Sequence, residues 1–279
     1  MEALIPARLS TLGHPQRLAV FRLLMRRYPD RVAAGELAAA LGLKPSTLSA
    51  YLAALMQAGL VAQERAGTSL RYTIAMEAVR DTFEHLLRDC CRGRPEVCAP
   101  VPFPAGTGPG SGSAPRLRVL FVCTGNSARS IMAEAILRTQ AGDRFEVHSA
   151  GTRPRAVPNP QALAVLRDAG HDVAPLRCKP LTGFRGTGAP HLDIVVTVCN
   201  QAANEECPPW PGAPVSAHWG LPAPTQGAGG DAQTALAVRR THDALHDRIR
   251  ALAALPLAAM DRLAVQRALD DIGRHGARA

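Results

Sequence analysis

An α+β winged helix-turn-helix domain followed by an α/β domain with a parallel sheet is the fold class this sequence predicts. Three observations carry that prediction. Residues 1–98 read as amphipathic helices with one short strand pair near their end, and residues 117–279 alternate apolar strands with helices. Between them "APVPFPAGTGPGSGSAPR" (residues 99–116) is rich in Pro, Gly and Ser and has no hydrophobic periodicity. This segment is expected to be a flexible, partly extended linker with ends on the order of 20–30 Å apart. A length of 279 residues also suits two domains better than one.

In the first domain, "HPQRLAVFRLLMRR" places Leu18, Phe21, Leu24 and Met25 on one helix face. "AAGELAAALGL" is a short helix stopped at Gly42. "KPSTLSAYLAALMQAGLV" starts with Pro45 in a first helical turn and ends at Gly59, with Leu48, Leu52, Leu55 and Met56 inward. "VAQERAGTSLRYTI" alternates about Ala66-Gly67 as a β-hairpin, and "AMEAVRDTFEHLLRD" closes the domain with another amphipathic helix. This order is that of a winged helix-turn-helix, with Leu37, Leu48, Leu52 and Leu55 burying the helix pair. The outward side of the second helix offers Ser46, Thr47, Ser49 and Tyr51 to a major groove, and the wing's Arg65 and Arg71 suit phosphates. A small helical domain with a solvated polar face is the plainer alternative.

After the linker, "LRVLFVC" is a buried strand, "ARSIMAEAILRTQ" a helix and "FEVHSAG" a strand. "NPQALAVLRDAG" is a helix, "LDIVVTVC" a strand and "DAQTALAVRRTHDALHDRIRALAAL" a long helix. Such alternation builds a parallel sheet with functional residues at the carboxyl ends of its strands. "PLAAMDRLAVQRALDDIG" is an extra amphipathic helix whose role is read as packing.

The bulk properties narrow the function classes. No apolar run is long enough to span a bilayer, and "MEALIPARLS" lacks the basic-then-apolar order of a signal peptide, so no membrane role and a cytoplasmic location are expected. In that compartment seven cysteines point to metal binding or redox chemistry rather than structural disulfides. The net charge of +9 divides as +4 over residues 1–100 (13 basic, 9 acidic) and +5 over the rest (19 and 14), so it permits a nucleic-acid partner without locating one.

Cys123, Thr124, Gly125, Asn126, Ser127, Ala128 and Arg129 form a Cys-x5-Arg connection between a strand and a helix. A loop of this kind turns backbone N–H groups inward and aims a helix N-terminus at its centre, making an anion nest to which Ser130 also belongs. The same positive surroundings are expected to lower the Cys123 pKa, while Arg129 holds a tetrahedral oxyanion through two parallel hydrogen bonds. The reading is nucleophilic attack on phosphate or a phosphate mimic; an ordinary core cysteine before a helix-capping turn is the alternative.

"VLFVCTGNSARSIMAEA" with "VHSAGTRP" resembles the low-molecular-weight protein tyrosine phosphatase superfamily over roughly residues 117–254. "TVCNQAANEECPPWPG" and "HWGLPAP" are similar to its thioredoxin-coupled arsenate reductase branch. The resemblance implies arsenate as substrate and a three-cysteine relay. Cys123 attacks arsenate, Cys199 attacks Cys123 and frees arsenite, and Cys207 resolves that disulfide into a Cys199–Cys207 pair for thioredoxin or a similar reductase, with no tightly bound cofactor. A second thiol fits the chemistry, because reducing As(V) needs two electrons. A zinc half-site or inert loop thiols are the alternatives for Cys199 and Cys207. One departure stands out: where relatives carry an acid after "WG", this sequence has Ala223, which argues against phosphomonoester hydrolysis. Cys178 has no partner in this scheme and is read as structural.

The first domain resembles the ArsR/SmtB family of metalloregulators through "LGHPQRLAVFRLL", "STLSAYLAALMQAGLV" and the wing. That implies a homodimer on operator DNA, released by a metal or metalloid. Cys90, Cys91 and Cys98 in "DCCRGRPEVC" can supply three thiolates to arsenite as effector; cadmium, zinc or plain redox sensitivity are alternatives. Together the readings describe an arsenite-responsive repressor fused to an arsenate reductase. A regulator fused to a phosphatase-like or a non-catalytic oxyanion-binding domain competes with it.

Overall fold

A computed structural model describes residues 4–92, 116–185, 188–205, 210–224 and 231–275. The expected linker, save Arg116, lies outside the described residues, as do Cys98 and Cys207. The chain divides into two compact units, residues 1–101 and 102–279.

The first unit opens with α1 (Leu4–Leu12) and α2 (Pro15–Arg27). His14 caps α2 by accepting from the Gln16 and Arg17 amides at 3.2 and 3.5 Å, and Pro15 follows with its φ already helical. The buried arc of α2 is Val20, Phe21, Leu23 and Leu24, whereas Leu18, expected inside, is 38% exposed. The face is rotated because α2 packs against α1, α3, α4 and β3 together, which shifts its centre to Val20 and Leu24.

Next come β1 (Val32–Ala33), α3 (Ala34–Leu41) and α4 (Pro45–Gln57). Gly42 ends α3 in the left-handed region at φ 62°, and its amide returns to the Ala38 carbonyl, so the chain turns sharply into α4. Leu37, Leu48, Leu52 and Leu55 are at most 1% exposed, so the helix pair is bolted to the bundle by the leucines that the periodicity picked out.

The wing is β2 (Val61–Ala66) and β3 (Ser69–Ile74), antiparallel, with β1 added on the far side of β3. Because Ala66 pairs with Ser69, the two-residue turn is Gly67-Thr68, one step beyond the expected Ala66-Gly67; Gly67 takes φ 61°. α5 (Met76–His85) runs on into a π-helical turn at Leu86–Cys90. Buried Arg8 donates to the Ala58 and Ala78 carbonyls (3.2 and 2.9 Å) and to Thr82 Oγ1 (3.0 Å), tying α1 to the end of α4 and to α5.

The second unit contains a four-stranded parallel sheet ordered β5-β4-β6-β7: β4 (Leu117–Cys123), β5 (Phe145–Gly151), β6 (Ile194–Thr197) and β7 (Val215–His218). β7 is absent from the sequence reading, since four residues with two apolar ones make no distinctive alternation. The helices are α6 (Arg129–Ala141), α7 (Pro160–Asp168), short α8 (Asn200–Asn204), α9 (Asp231–Ala254) and α10 (Arg262–His275).

α10 does pack. Trp219, fully buried, donates its indole N–H to the Leu269 carbonyl at 3.0 Å, and Arg248 holds the Trp219 carbonyl at 3.0 Å. Strand order reverses at β4: the chain leaves it for β5 on one side and later returns to β6 on the other. In open α/β sheets such a reversal opens a crevice at the carboxyl ends of the flanking strands. Cys123 ends β4 and Cys199 lies two residues past β6, so both thiols meet at that crevice.

Candidate functional site

The Cys123–Arg129 loop is shaped by bonds on its outer side. The carbonyls of Cys123, Thr124, Gly125 and Ser127 accept from the amides of Thr152 (3.1 Å), Arg153 (2.9 Å), Arg155 (2.9 Å) and Asn159 (2.8 Å). A trans peptide points its N–H opposite its C=O, so the amides of Thr124, Gly125, Asn126 and Ala128 face away from that strap. The Asn126 amide reaches Cys123 Sγ at 3.2 Å. At the loop's end α6 begins without a side-chain cap, and in its first turn the Ser130 backbone N–H bonds to Cys123.

Asn126 holds the loop's curvature. It is fully buried with φ 43°, a left-handed conformation that asparagine tolerates. Its amide nitrogen donates to Ser130 Oγ and Ser149 Oγ, both at 2.8 Å, and its oxygen accepts from the Lys179 amide at 2.6 Å. Behind it, buried Glu134 accepts from Ser149 and pairs with Lys179 (2.8 Å) and Arg138. Sequence reasoning missed Ser149, Lys179 and Glu134; only Glu134, an acid on an otherwise apolar helix face, left a trace. Gly151 is required by close approach, because a Cβ there would stand 2.7 Å from the Thr124 carbonyl oxygen.

Cys123 is 3% exposed, and its sulfur lies 2.9 Å from Ser130 Oγ. The expectation of a lowered pKa needs correction. Burial is the largest influence and pushes the thiol above its ordinary value; the Ser130 hydrogen bond opposes this, neighbouring Cys199 adds to the rise, and Arg129 pulls the other way. Arg129 is itself tethered, donating from Nη1 to the Leu221 carbonyl at 2.7 Å.

Cys199, 1% exposed, caps α8 by accepting from the Ala202 amide at 3.4 Å. Thr124 Oγ1, in the Cys123 loop, lies 3.4 Å from its sulfur. Both cysteines are free thiols. Cys178 is half-buried against the same core; burial, and then proximity to Cys123, raise its thiol as well. Ala223, two residues past Leu221, is half-buried.

In the first unit, Ser46, Ser49, Arg65 and Arg71 are exposed, and Thr47 and Tyr51 are half-buried. Ser49 Oγ donates back to the Pro45 carbonyl at 2.9 Å, while the Tyr51 hydroxyl binds Gln16 and its ring packs 5.1 Å from His14. Arg71 sits opposite Glu64 across the wing, and Glu64 pairs with Arg31 at 2.9 Å. Cys90 is exposed and Cys91 half-exposed. The π-helical turn groups Cys90 with His85 and Asp89, their ligand atoms all within 4.8 Å of one another.

Fold and loop define the second unit as an α/β domain whose Cys-x5-Arg loop joins β4 to α6. The profile of the low molecular weight phosphotyrosine protein phosphatases matches residues 118–262, and that of a helix-turn-helix domain matches residues 12–64. The chain belongs to the low molecular weight phosphotyrosine protein phosphatase family and carries a helix-turn-helix domain ahead of it.

An arsenate reductase of Halalkalibacterium halodurans is 34% identical over 135 residues, which is 48% of this chain and 94% of that protein. The arsenate reductase of Bacillus subtilis is 31% identical over 135 residues, with the same shares covered. Among solved structures, an arsenate reductase in the phosphate binding state is 27% identical, covers 50% of this chain and 97% of its own, and aligns with a TM-score of 0.42. No helix among the described residues is long and apolar enough to cross a membrane.

Proposed function

We propose that the second domain reduces arsenate to arsenite through Cys123, Cys199 and Cys207, and that the first binds operator DNA as an ArsR-type homodimer and releases it when arsenite binds. One observation carries the enzymatic half: a second buried thiol, Cys199, stands against the oxyanion loop of the first, with Thr124 Oγ1 3.4 Å from its sulfur. A phosphatase needs one thiol, whereas a two-electron reduction needs a pair. The similarity to proteins named arsenate reductase supports the substrate.

In the first step the Cys123 sulfur bonds to arsenic, and its proton leaves on a departing arsenate oxygen as water. Cys199 then attacks Cys123; arsenic takes the electron pair and departs as arsenite, leaving a Cys123–Cys199 disulfide. Cys207 displaces Cys123, and a thioredoxin-like dithiol reduces the Cys199–Cys207 disulfide. Arsenite is a soft acceptor for thiolates, and Cys90 and Cys91, with Cys98, are the sensing ligands.

The test is arsenate-dependent NADPH oxidation with thioredoxin and its reductase, alongside phenyl phosphate hydrolysis. Cys123→Ser, Cys199→Ser and Cys207→Ser each abolish multiple turnover, while Cys207→Ser still releases about one arsenite per chain, since the first disulfide forms without it. Sustained coupled turnover in the Cys207 variant removes Cys207 from the mechanism. Phenyl phosphate hydrolysis without arsenate reduction replaces the whole reading with a phosphatase.

A further inference from the structure

Far from the oxyanion loop in sequence, three histidines gather where the end of α7 meets α9. His171 follows α7, whose C-terminus closes in a Schellman motif: the Gly170 amide bonds to the Arg167 carbonyl and the His171 amide to the Leu166 carbonyl, both at 2.9 Å, with Gly170 at φ 82°. This fixes the His171 backbone against α9. His242 and His246 lie four residues apart on α9, on one face and one turn apart.

The ring nitrogens His171 Nε2 and His242 Nε2 face each other at 3.5 Å. That is beyond the usual range of a nitrogen–nitrogen hydrogen bond. Two nitrogens bound at about 2.0–2.1 Å to one tetrahedral zinc stand about 3.3 Å apart. Both far nitrogens are engaged: His171 Nδ1 lies 2.9 Å from Thr139 Oγ1, and His242 Nδ1 lies 3.1 Å from Asp243 Oδ1. This is the outer-shell pattern that orients imidazole ligands toward a metal. His242 is buried at 8% exposure, so its ring has little freedom to turn away.

We propose that His171 and His242 form a binding site for a zinc-like divalent cation, with His246 as a third ligand and water in the open position. His246 stacks on His242 with ring centroids 6.2 Å apart and is partly exposed, one turn along the same helix face. The site uses neutral imidazole alone and is separate from every thiol assigned above. A cation there staples the end of α7 to α9 within the second unit.

The test titrates the full-length protein with zinc against a chromogenic chelator and follows the histidine ring resonances by long-range proton–nitrogen spectra. The expected result is that the His171 and His242 Nε2 signals shift on the first equivalents, with micromolar or tighter binding. His242→Ala should weaken that binding about 10-fold or more, as should Asp243→Ala through loss of the outer-shell bond. Cobalt at this site gives ligand-field bands without thiolate charge transfer, which separates it from the cysteines. Unmoved His171 and His242 signals in the native chain overturn the proposal whether or not the variants fold, as does a His171→Ala/His242→Ala variant with unchanged zinc affinity and histidine-type cobalt bands.

Discussion

Ser130 Oγ stands 2.9 Å from Cys123 Sγ while accepting from Asn126 Nδ2 at 2.8 Å. A Ser130 hydroxyl that donates to the sulfur stabilises the thiolate and opposes the rise caused by burial. Asn126, bonded to Ser130 and through its own amide to Cys123 Sγ, thus links the loop's backbone shape to the ionisation of Cys123.

Ser130→Ala removes a hydrogen bond that lowers the Cys123 pKa and leaves the burial that raises it. The pH profile of Cys123 alkylation therefore shifts to higher pH, and the rate near pH 7 falls several-fold. An unchanged profile means the hydroxyl does not donate to the thiolate.

Gly151→Ala puts a Cβ 2.7 Å from the Thr124 carbonyl oxygen and 3.0 Å from the Asn126 amide nitrogen, both backbone atoms that cannot swing aside. A cost of about 1–3 kcal/mol is expected from overpacking of this kind. Binding of inorganic phosphate, measured calorimetrically, should fall further than the thermal midpoint suggests, because the distortion lands on the Cys123–Arg129 loop.

In the first domain, Arg71→Ala should weaken operator and random duplex alike and reduce the salt slope by about 1. Ser46→Ala and Ser49→Ala should weaken operator binding more than random binding. Tyr51→Phe isolates the hydroxyl shared with Gln16 without removing the ring packed on His14. Equal losses on both DNAs for the serine variants would show that α4 does not read bases.

Cys90→Ser/Cys91→Ser should leave arsenate turnover intact and abolish arsenite-driven release from operator DNA, followed by fluorescence anisotropy. Release at the same arsenite concentration would place the sensor on other residues.

Asp270, on α10, has its carboxyl pushed up to about 6 by burial, against the pull of the Gln266 hydrogen bond and Arg274. Between its ordinary value of 3.8 and about 6 the folded state holds the extra proton, so stability falls as pH rises through that window. Above it, the penalty for the buried carboxylate is fully present. Asp270→Asn should stabilise the second domain at pH 7 by on the order of 1 kcal/mol after solvent screening, read as a higher thermal midpoint. The difference should close near pH 4.

The sequence by itself determined the elements whose signal is local. Leu48, Leu52 and Leu55 recur at helical spacing, Gly42 and Gly67 stand where the backbone turns left-handed, and the apolar run ending at Cys123 leads into a Cys-x5-Arg loop. Each is written within a few residues of where it acts, because periodicity and turn chemistry are short-range.

The tertiary structure decided what depends on neighbours distant in the chain. Which arc of α2 is buried, leaving Leu18 outside, follows from the four elements around it. The Asn126–Ser149–Glu134–Lys179 support of the loop joins residues up to 53 apart. The direction of the Cys123 shift was misjudged from the motif alone, since a motif displays the nearby Arg129 and the loop amides but not the desolvation that outweighs them. The meeting of His171 with His242, 71 residues apart, likewise exists only because α7 and α9 pack together. Hydrophobic pattern specifies a face; burial and the partners across it are properties of the assembled core.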